Sequence, residues 1–477
     1  MLFNSIEFLV FFVTVFCVYW AVPCQRVKVI LLLIASYYFY MSWNARLAAV
    51  VAGSSLIDYF LARALEGSTE QRTRKKFLIT SIVMNMGLLF YFKYTNFFLQ
   101  SLGDLLHTLG WEGQMPFLSV VLPIGISFYT FEAISYMVDV YMRRTEAEKN
   151  PLHFLLFITF FPRMIAGPII RARNFLPQLK REKRFDWGRF DLGLQFVLMG
   201  LFKKIAIADR MAYLVDPVYA SPGNYSTTAI WIAVVAYSLQ IYCDFSGYSD
   251  IAIGTAHLLG FKLPENFNMP YLSRNITEFW QRWHISLSTW LRDYVFLSLG
   301  GSKRSRAKMS LNLMITMTLC GLWHGASWTF VAFGVVQGIM QLVHHRFRDF
   351  CKPRRKLKSF LQSEPGVALR TAVTYLSVIV FSMILFRAPD FRTAAEVFGR
   401  LLVPHRGVMV RDPVGPLSLV CVFLTIAICH VAVERGLWKK ISARLTPWQW
   451  GLSYVVMLAL TFIWVPESKK AFIYFQF

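Results

Sequence analysis

Charged residues are scarce in this sequence: they make up 16% of its 477 residues, whereas hydrophobic residues make up 56%. Soluble domains commonly carry about 25% charged residues. The low charge, with a mean hydropathy of +0.46, excludes an ordinary soluble enzyme and favours a protein that crosses a membrane many times. The 50 basic residues exceed the 27 acidic ones. Because they fall between apolar runs, we attribute the excess to membrane topology and to anionic lipid or substrate rather than to nucleic acid.

The common signatures of soluble chemistry are also missing. The 7 cysteines are scattered, with no CxxC motif and no spacing with histidine that indicates zinc. There is neither a Walker A nor a Rossmann motif. We therefore predict no metal site, no disulfide framework and no permanently bound cofactor. The first apolar run, 8–22, has no basic residue before it and no A-x-A site after it, so we interpret it as a retained span and not as a signal peptide.

What is present is a series of apolar runs separated by basic loops. The runs lie near 7–22, 28–43, 46–64, 77–98, 117–141, 152–168, 191–212, 228–256, 309–323, 326–343, 367–386, 416–433 and 448–465. The positive-inside rule predicts that the loops near 72–76, 143–149, 171–184, 303–308 and 352–358 are cytoplasmic.

The sixth run would then have cytoplasm at both ends. It contains FFPRMIAGP, 160–168, whose prolines, glycine and arginine are unfavourable in a full span. We predict a re-entrant segment there, which leaves about twelve crossings and places both termini and the loops 101–116 and 213–227 outside. The loop 387–415 fits less well, because it should also lie outside and yet carries five arginines. We see no internal repeat or soluble domain, and we predict one membrane-embedded all-α domain over 1–477.

The segment 275–298 differs from the spans. Its aromatic and aliphatic residues recur at helical spacing, and its charged residues take the other side. We predict one amphipathic helix in the membrane interface, capped by Asn275, with His284 at the edge of its apolar face.

Two histidines in this setting are the main candidates for chemistry. His324 lies in LCGLWHGASWTF between two uncharged apolar segments, and an ionisable residue in a span indicates function by default. A neutral imidazole can act as a general base, but a buried histidine bonded to a carbonyl is the structural alternative. His284 would orient substrate or stabilise an oxyanion, or simply belong to the interface.

Other polar residues are weaker candidates. Asp244 and Tyr248 share a face of YCDFSGYSDIAIG, where Asp244 either orients a histidine or joins helices. Cys320 lies four residues before His324 and allows a Cys–His pair that carries an acyl group, although buried cysteines are often only structural. Glu132 and Asp139 would suit a proton relay in a transporter, although two acids on one helix are weak support.

These residues lie in segments that resemble the membrane-bound O-acyltransferases, and most closely their bacterial polysaccharide branch, the alginate O-acetyltransferase membrane subunits. The resemblance covers nearly the whole chain. Its longest motifs are LPIGISFYTFEAISYMVDVY (122–141), FPRMIAGPIIR (161–171), YCDFSGYSDIAIG (242–254), ENFNMPYLSRNITEFWQRWHISLSTWLRDYVFLSLGG (265–301) and LCGLWHGASWTFVAFG (319–334).

The resemblance implies a helical bundle around a tunnel that joins the two membrane faces. His324 matches the catalytic histidine of the family, and His284 matches its second signature position. Acetyl-CoA would be the cytoplasmic donor, and an exported polysaccharide the acceptor, with an SGNH-type periplasmic or membrane-anchored partner. The protein would lie in the bacterial inner membrane. We expect the substrate to be bound by Asp244, Tyr248, Asn266, Arg282, Trp283 and Trp323.

Two other classes of function remain open at this stage. A transporter of lipid-linked saccharide would predict inverted repeats with broken helices, and none is convincing. A non-catalytic scaffold of an export complex would not need His324. The same chemistry on cellulose or peptidoglycan in place of alginate is a third alternative.

Overall fold

A computed structural model describes residues 1–303, 305–411, 418–465 and 472–473, which are mainly helical. The chain divides into two compact units, Met1–Val197 with Ile251–Pro264, and Leu198–Asp250 with Glu265–Phe477. Two of the boundaries fall inside the continuous helices Trp187–Leu201 and Thr227–Leu258. A single domain over 1–477 stays a prediction.

Most helices of the first unit follow the predicted apolar runs, whereas Ala172–Lys180 lies in the predicted basic loop 171–184. The helices of this unit are Ile6–Ala21, Gln25–Met41, Ala45–Gly67, Gln71–Leu89 continued by π-helical Phe90–Tyr94 and by Thr95–Thr108, Ile126–Tyr141, Pro151–Thr159, Ala172–Lys180 and most of Trp187–Leu201. The fifth run differs from its prediction, because its helix begins only at Ile126, after Gly125 in the left-handed region with φ of 72°. A side chain at Gly125 would meet the carbonyl of Met164 at 2.3 Å.

The predicted re-entrant segment is short and buried. Helix Pro151–Thr159 has 9 residues, or about 14 Å of rise, which is less than half of a hydrocarbon core. After it, buried turns carry Arg163, which forms an ion pair with Glu132. Glu132 thus neutralises a buried cation. These features support a segment that does not cross the membrane by itself, and re-entry stays a prediction.

The basic segment 171–184 is only partly available to a ligand. Arg171 and Lys183 are buried, and burial, followed by two neighbouring arginines, lowers the pKa of Lys183 to about 8. Lys180 pairs with Glu148 at 2.9 Å. Burial alone would raise the pKa of Glu148, but the imidazole of His153 at 3.8 Å, the backbone N–H of Asn150 and Lys180 lower it to about 2.

The second unit contains both candidate histidines, His284 and His324. Its helices are Asp209–Ala220, most of Thr227–Leu258, Ile276–Arg282, Ile285–Leu291, Arg306–His324, Trp328–Cys351, Arg355–Gln362, Glu364–Ser377, Ile384–Arg387, Phe391–Leu402, Ser418–Glu434, Leu437–Ser442 and Pro447–Ile463. Phe202–Ala208, Arg292–Phe296 and Val378–Met383 are π-helical, and Pro222–Asn224 and Pro270–Leu272 are 3-10 turns.

Within the described residues, four helices are long and apolar enough to cross a membrane. They are Ala45–Gly67, Gln71–Thr108, Thr227–Leu258 and Glu364–Arg387. Shorter apolar helices are Ile6–Ala21, Ser418–Glu434 and Pro447–Ile463. The chain is therefore a helical, multi-pass protein, whereas the count of about twelve crossings and the central tunnel stay predictions.

The prediction of one helix over 275–298 was wrong. The first helix ends at Arg282, Trp283 is extended, and His284 takes a left-handed conformation with φ of 44°. A second helix runs from Ile285 to Leu291. Helical periodicity continues through the break, because both helices bury one face, and the pattern therefore could not reveal it.

Candidate functional site

His324 is the last residue of helix Arg306–His324, which packs against Trp328–Cys351 as a helical hairpin. Glycine makes the close approach possible, because a Cβ at Gly321 would lie 2.1 Å from the carbonyl oxygen of Phe330. A Cβ at Gly325 would lie 2.3 Å from the ring of Phe330. The sequence LCGLWHG thus places His324 at a tightly closed turn, where its side chain is 3% exposed.

The imidazole of His324 lies among aromatic rings and one thiol. The ring centroids of Trp323, Phe333 and Phe386 are 5.0, 5.9 and 5.1 Å from its own. The Sγ atom of Cys320 is 3.9 Å from Nε2. Such an apolar shell excludes water and strengthens electrostatic interactions with any group that reaches the imidazole.

His284 is held by Asn266, which fixes the break between the two short helices. The backbone N–H of Ile285 donates to the carbonyl of Asn266 at 2.9 Å. The Oδ1 atom of Asn266 accepts from the N–H of Ser286 at 3.2 Å and from its hydroxyl at 2.9 Å. These bonds stabilise a backbone conformation that is uncommon for a residue with a side chain.

The same amide fixes the tautomer of His284. Nδ1 of His284 is 3.1 Å from Oδ1 of Asn266. The backbone N–H of Ser286 can only donate, so the atom facing it is the amide oxygen, and Nδ1 of His284 must carry the proton. Nε2 of a neutral His284 therefore has the lone pair. It can accept a hydrogen bond from a hydroxyl or thiol, which favours orientation of substrate over stabilisation of an oxyanion.

The two histidines are neighbours. Their ring centroids are 6.4 Å apart, and Trp323 lies beside both, with its centroid 5.8 Å from that of His284. His284 is fully buried and also meets Phe245 at 4.6 Å. Forty residues of sequence separate the pair, so the fold brings together the two histidines that the sequence singled out.

A small cavity of about 10 Å³ reaches His324, which is room for about one water molecule. Trp283 and Gln337 line it. The indole N–H of Trp280 donates to Gln337 at 2.9 Å, and Gln337 in turn donates to Ser382. This chain of hydrogen bonds fixes a polar wall beside an otherwise apolar cavity.

Three of the residues expected to bind substrate have other partners in the structure. The two carboxylate oxygens of Asp244 accept from Lys204 at 2.6 Å and from the N–H of Ile473 at 2.9 Å. This geometry supports the hypothesis that Asp244 holds separate segments of the chain together, and not the hypothesis that it orients a histidine. Tyr248 stacks on Phe472 with centroids 4.4 Å apart.

Arg282 is the third of these residues. It forms ion pairs with Glu278 at 3.0 Å and with Glu434 at 2.8 Å. By contrast, Asn266, Trp283 and Trp323 all lie in the cluster around the two histidines. In the second unit, the basic residues Lys303, Arg306 and Lys308 are exposed, whereas Arg304 lies outside the described residues.

Sequence reasoning missed Gln337, Ser382 and Phe386. The first is 1% exposed in the middle of an apolar helix, and a polar residue at such a position is a signal that could have been used. Ser382 and Phe386 gave no signal of this kind. The described residues contain no group of three or more His, Cys, Asp and Glu side chains placed to hold a metal ion.

The sequence is similar to that of a known protein family and of several bacterial enzymes. Residues 147–386, about half of the chain, match the membrane-bound O-acyltransferase family. The chain is similar to the probable alginate O-acetylase AlgI of Pseudomonas aeruginosa, with 39% identity over 83% of this chain and 74% of the relative. It is also similar to the peptidoglycan O-acetyltransferase of Helicobacter pylori, with 32% identity over 94% and 91%.

A more distant relative is the teichoic acid D-alanyltransferase of Bacillus subtilis, with 28% identity over 56% of this chain and 69% of the relative. The matched region contains both histidines, the Asn266 clamp and the hairpin that carries His324.

Proposed function

The chain belongs to the membrane-bound O-acyltransferase family, and on this premise we propose that it transfers acetyl from cytoplasmic acetyl-CoA towards an exported polysaccharide. The observation that carries this proposal is the buried His284–His324 pair, 6.4 Å apart between ring centroids. Burial among aromatic rings gives a base that acts away from water, where a thioester is protected from hydrolysis.

His324 is the general base in this proposal. Its imidazole takes the proton of an acceptor hydroxyl as the oxygen attacks the acetyl carbonyl of the thioester. The C–O bond forms and the C–S bond breaks, and the imidazolium returns the proton to the departing CoA thiolate. The products are an ester and free CoA. His284 accepts a hydrogen bond through Nε2 and so holds the hydroxyl or the thiol in place, while Asn266 positions His284.

Alginate, an anionic polysaccharide, is the proposed acceptor. Greater identity to the probable alginate O-acetylase of Pseudomonas aeruginosa (39%) than to the peptidoglycan O-acetyltransferase of Helicobacter pylori (32%) supports this choice. The latter match covers more of the chain, so peptidoglycan is the alternative, and cellulose is a further one.

The remaining parts of the proposal concern location and partners. We place the protein in the bacterial inner membrane, with a tunnel that carries the acetyl group across. An SGNH-type periplasmic or membrane-anchored partner would complete the transfer. The exposed basic residues Lys303, Arg306 and Lys308 are candidates to attract the phosphates of CoA on the cytoplasmic side. The family resemblance supports the location, the tunnel and the partner, and the positive-inside rule supports the cytoplasmic position of the basic residues.

The experiment is radiolabelled acetyl transfer from acetyl-CoA by purified protein in nanodiscs, with alginate, peptidoglycan or cellulose fragments as acceptors. We expect His324→Ala to lose transfer while it keeps its fold. His107→Ala is the matched control, because His107 is exposed. Full turnover in His324→Ala would contradict the proposed base. If wild type is inactive, co-expression with an SGNH-type partner must restore transfer, and continued inactivity would contradict the proposal.

The match to an acyltransferase family disfavours a transporter of lipid-linked saccharide. Such a transporter would move its cargo without acetyl-CoA and would survive His324→Ala. Saccharide flux that persists in this variant, in proteoliposomes without acetyl-CoA, would favour transport.

A further inference from the structure

The second unit contains a larger cavity that is separate from the histidine pair. It has a volume of about 920 Å³, at the upper end of the range of about 300–1,000 Å³ typical of ligand sites. Helix Glu364–Ser377 forms one wall and helix Ser418–Glu434 the other, and Tyr271 and Leu272 form the floor. We call this cavity the lateral groove.

Most side chains on the walls of the lateral groove are apolar, and several of them are small. They are lined by Val367, Ala368, Ala372, Phe423, Ile426 and Ala427. The outward faces of the same two helices expose large apolar residues, among them Leu369, Val373, Leu424 and Ile428. Exposed apolar surface on both walls indicates that the groove opens towards lipid and not towards water.

The length of the groove matches one leaflet of a membrane. Glu364 at one end and Tyr375 at the other are eleven residues apart on one helix, which corresponds to a rise of about 17 Å. Half of a hydrocarbon core is about 15 Å. One acyl chain of a membrane lipid therefore has the length needed to fill the groove.

The charged groups of the groove lie at one end and His430 lies at an intermediate depth, while Thr371 and Tyr375 add hydroxyl groups to the wall. Arg435 lines the mouth, and the exposed residues Lys439 and Lys440 follow it, while Glu364 is the one acid among the residues that line the groove. The positive-inside rule makes this the cytoplasmic end, where anionic lipids are found.

His430 is the intermediate polar group. It lines the groove, is 2% exposed, and its Nε2 atom has no hydrogen-bond partner among the residues that the structure describes. It lies five residues, or about 7.5 Å, deeper than Arg435. A buried polar atom of this kind normally has a partner, and the ester region of a lipid lies at this depth below its phosphate.

We propose that the lateral groove binds one anionic phospholipid, with its phosphate at Arg435, its glycerol-ester region at His430 and one acyl chain between the two helices. The groove is linked to the histidine site by a row of rings. The ring of His430 stacks on Tyr271 with centroids 5.9 Å apart, and the ring centroid of Tyr271 is 6.3 Å from that of Trp283, which lines the cavity at His324. A lipid that holds His430 in place therefore also supports the wall of that cavity. The lipid is a structural ligand and is not consumed.

The experiment is native mass spectrometry of the full chain purified from nanodiscs that contain phosphatidylglycerol or phosphatidylcholine. We expect wild type to retain one phosphatidylglycerol after other lipids are stripped, with at least about tenfold preference over phosphatidylcholine. Arg435→Gln should lose this preference. His430→Phe should retain less lipid, because it keeps the stack on Tyr271 but loses the polar atom.

Ala427→Phe fills the groove and should abolish retention. Thr425→Phe is the matched control, because Thr425 is exposed on the opposite side of the same helix. Equal retention in Ala427→Phe and wild type would overturn the proposal. Displacement of the lipid by acetyl-CoA would also overturn it, because the groove would then be a path for the donor.

A second measurement remains decisive if Ala427→Phe does not fold. Phosphatidylglycerol with a photoreactive diazirine in mid-chain is cross-linked to wild-type protein, and the labelled peptides are identified. We expect labelling concentrated in 367–375 and 423–427. Labelling spread evenly over the lipid-facing helices would refute a specific site. Neither measurement depends on acetyl transfer, so the inference can fail while the proposed function stands.

Discussion

The most informative perturbation of the site is Asn266→Ala. Asn266 is 1% exposed, and its side chain makes four hydrogen bonds, with Nδ1 of His284, the N–H and hydroxyl of Ser286, and the hydroxyl of Ser249. At roughly 1 kcal/mol each, with a buried N–H left without a partner, we expect a loss of about 3–5 kcal/mol in the free energy of unfolding.

Ser249→Ala is the reference variant against which the loss of stability in Asn266→Ala is compared. It removes only the bond from Nδ2 of Asn266 to Ser249 at 3.2 Å, so the expected cost is about 1 kcal/mol. Unfolding in mixed micelles measures both values. A difference of less than about 1 kcal/mol between the two variants would refute the view that Asn266 clamps residues 284–286.

The kinetic consequence of Asn266→Ala should be separate from the loss of stability. Because His284 loses the group that fixes its tautomer and orientation, kcat should fall by about 100-fold, with a smaller change in KM. Asn266→Asp keeps the acceptor oxygen and should retain more activity. Equal kcat values for Asn266→Ala and wild type, measured below the unfolding temperature, would show that His284 is positioned by other contacts.

Three further predictions concern separate parts of the chain. Glu148→Gln should lower the free energy of unfolding at pH 7. The difference from wild type should shrink as the pH falls from about 4.5 towards 2, because the ionised carboxylate of Glu148, whose pKa is lowered in the folded state, loses its stabilising contribution on protonation. A difference that does not change with pH would contradict this. Gly321→Ala should cost about 1–3 kcal/mol, since its Cβ would meet backbone of the facing helix at 2.1 Å, whereas Gly451→Ala meets nothing and serves as the control. Cys320→Ala should keep most acetyl transfer, because direct transfer needs no thiol; its complete loss, with the fold retained, would indicate an acyl-enzyme.

The sequence predicted the helical class correctly, and the two histidines that it singled out stay candidates for chemistry. Helix Arg306–His324 ends at the histidine that the pattern singled out, whereas His284 is buried at a break in the helix on which its position had been predicted. The first result follows from hydropathy, since an ionisable residue within an apolar run is visible without any tertiary information.

The sequence did not predict how long-range hydrogen bonds would interrupt that pattern. The break at His284 depends on Asn266, which lies 18 residues earlier, and no helical periodicity records such a contact. Asp244 failed as a partner of the histidines for a similar reason, because Lys204 lies 40 residues before it and takes the carboxylate. A pattern shows that a buried acid needs a partner, but the fold decides which one.

Chemical rescue of His324→Gly tests the central claim most directly. The variant, reconstituted in nanodiscs and shown to bind acetyl-CoA, is assayed for acetyl transfer in a series of imidazoles of similar size and increasing basicity. If His324 is the general base, transfer should return and should rise with the basicity of the added imidazole. A folded variant that keeps full activity without imidazole, or rescue that is absent or independent of basicity, would contradict the account.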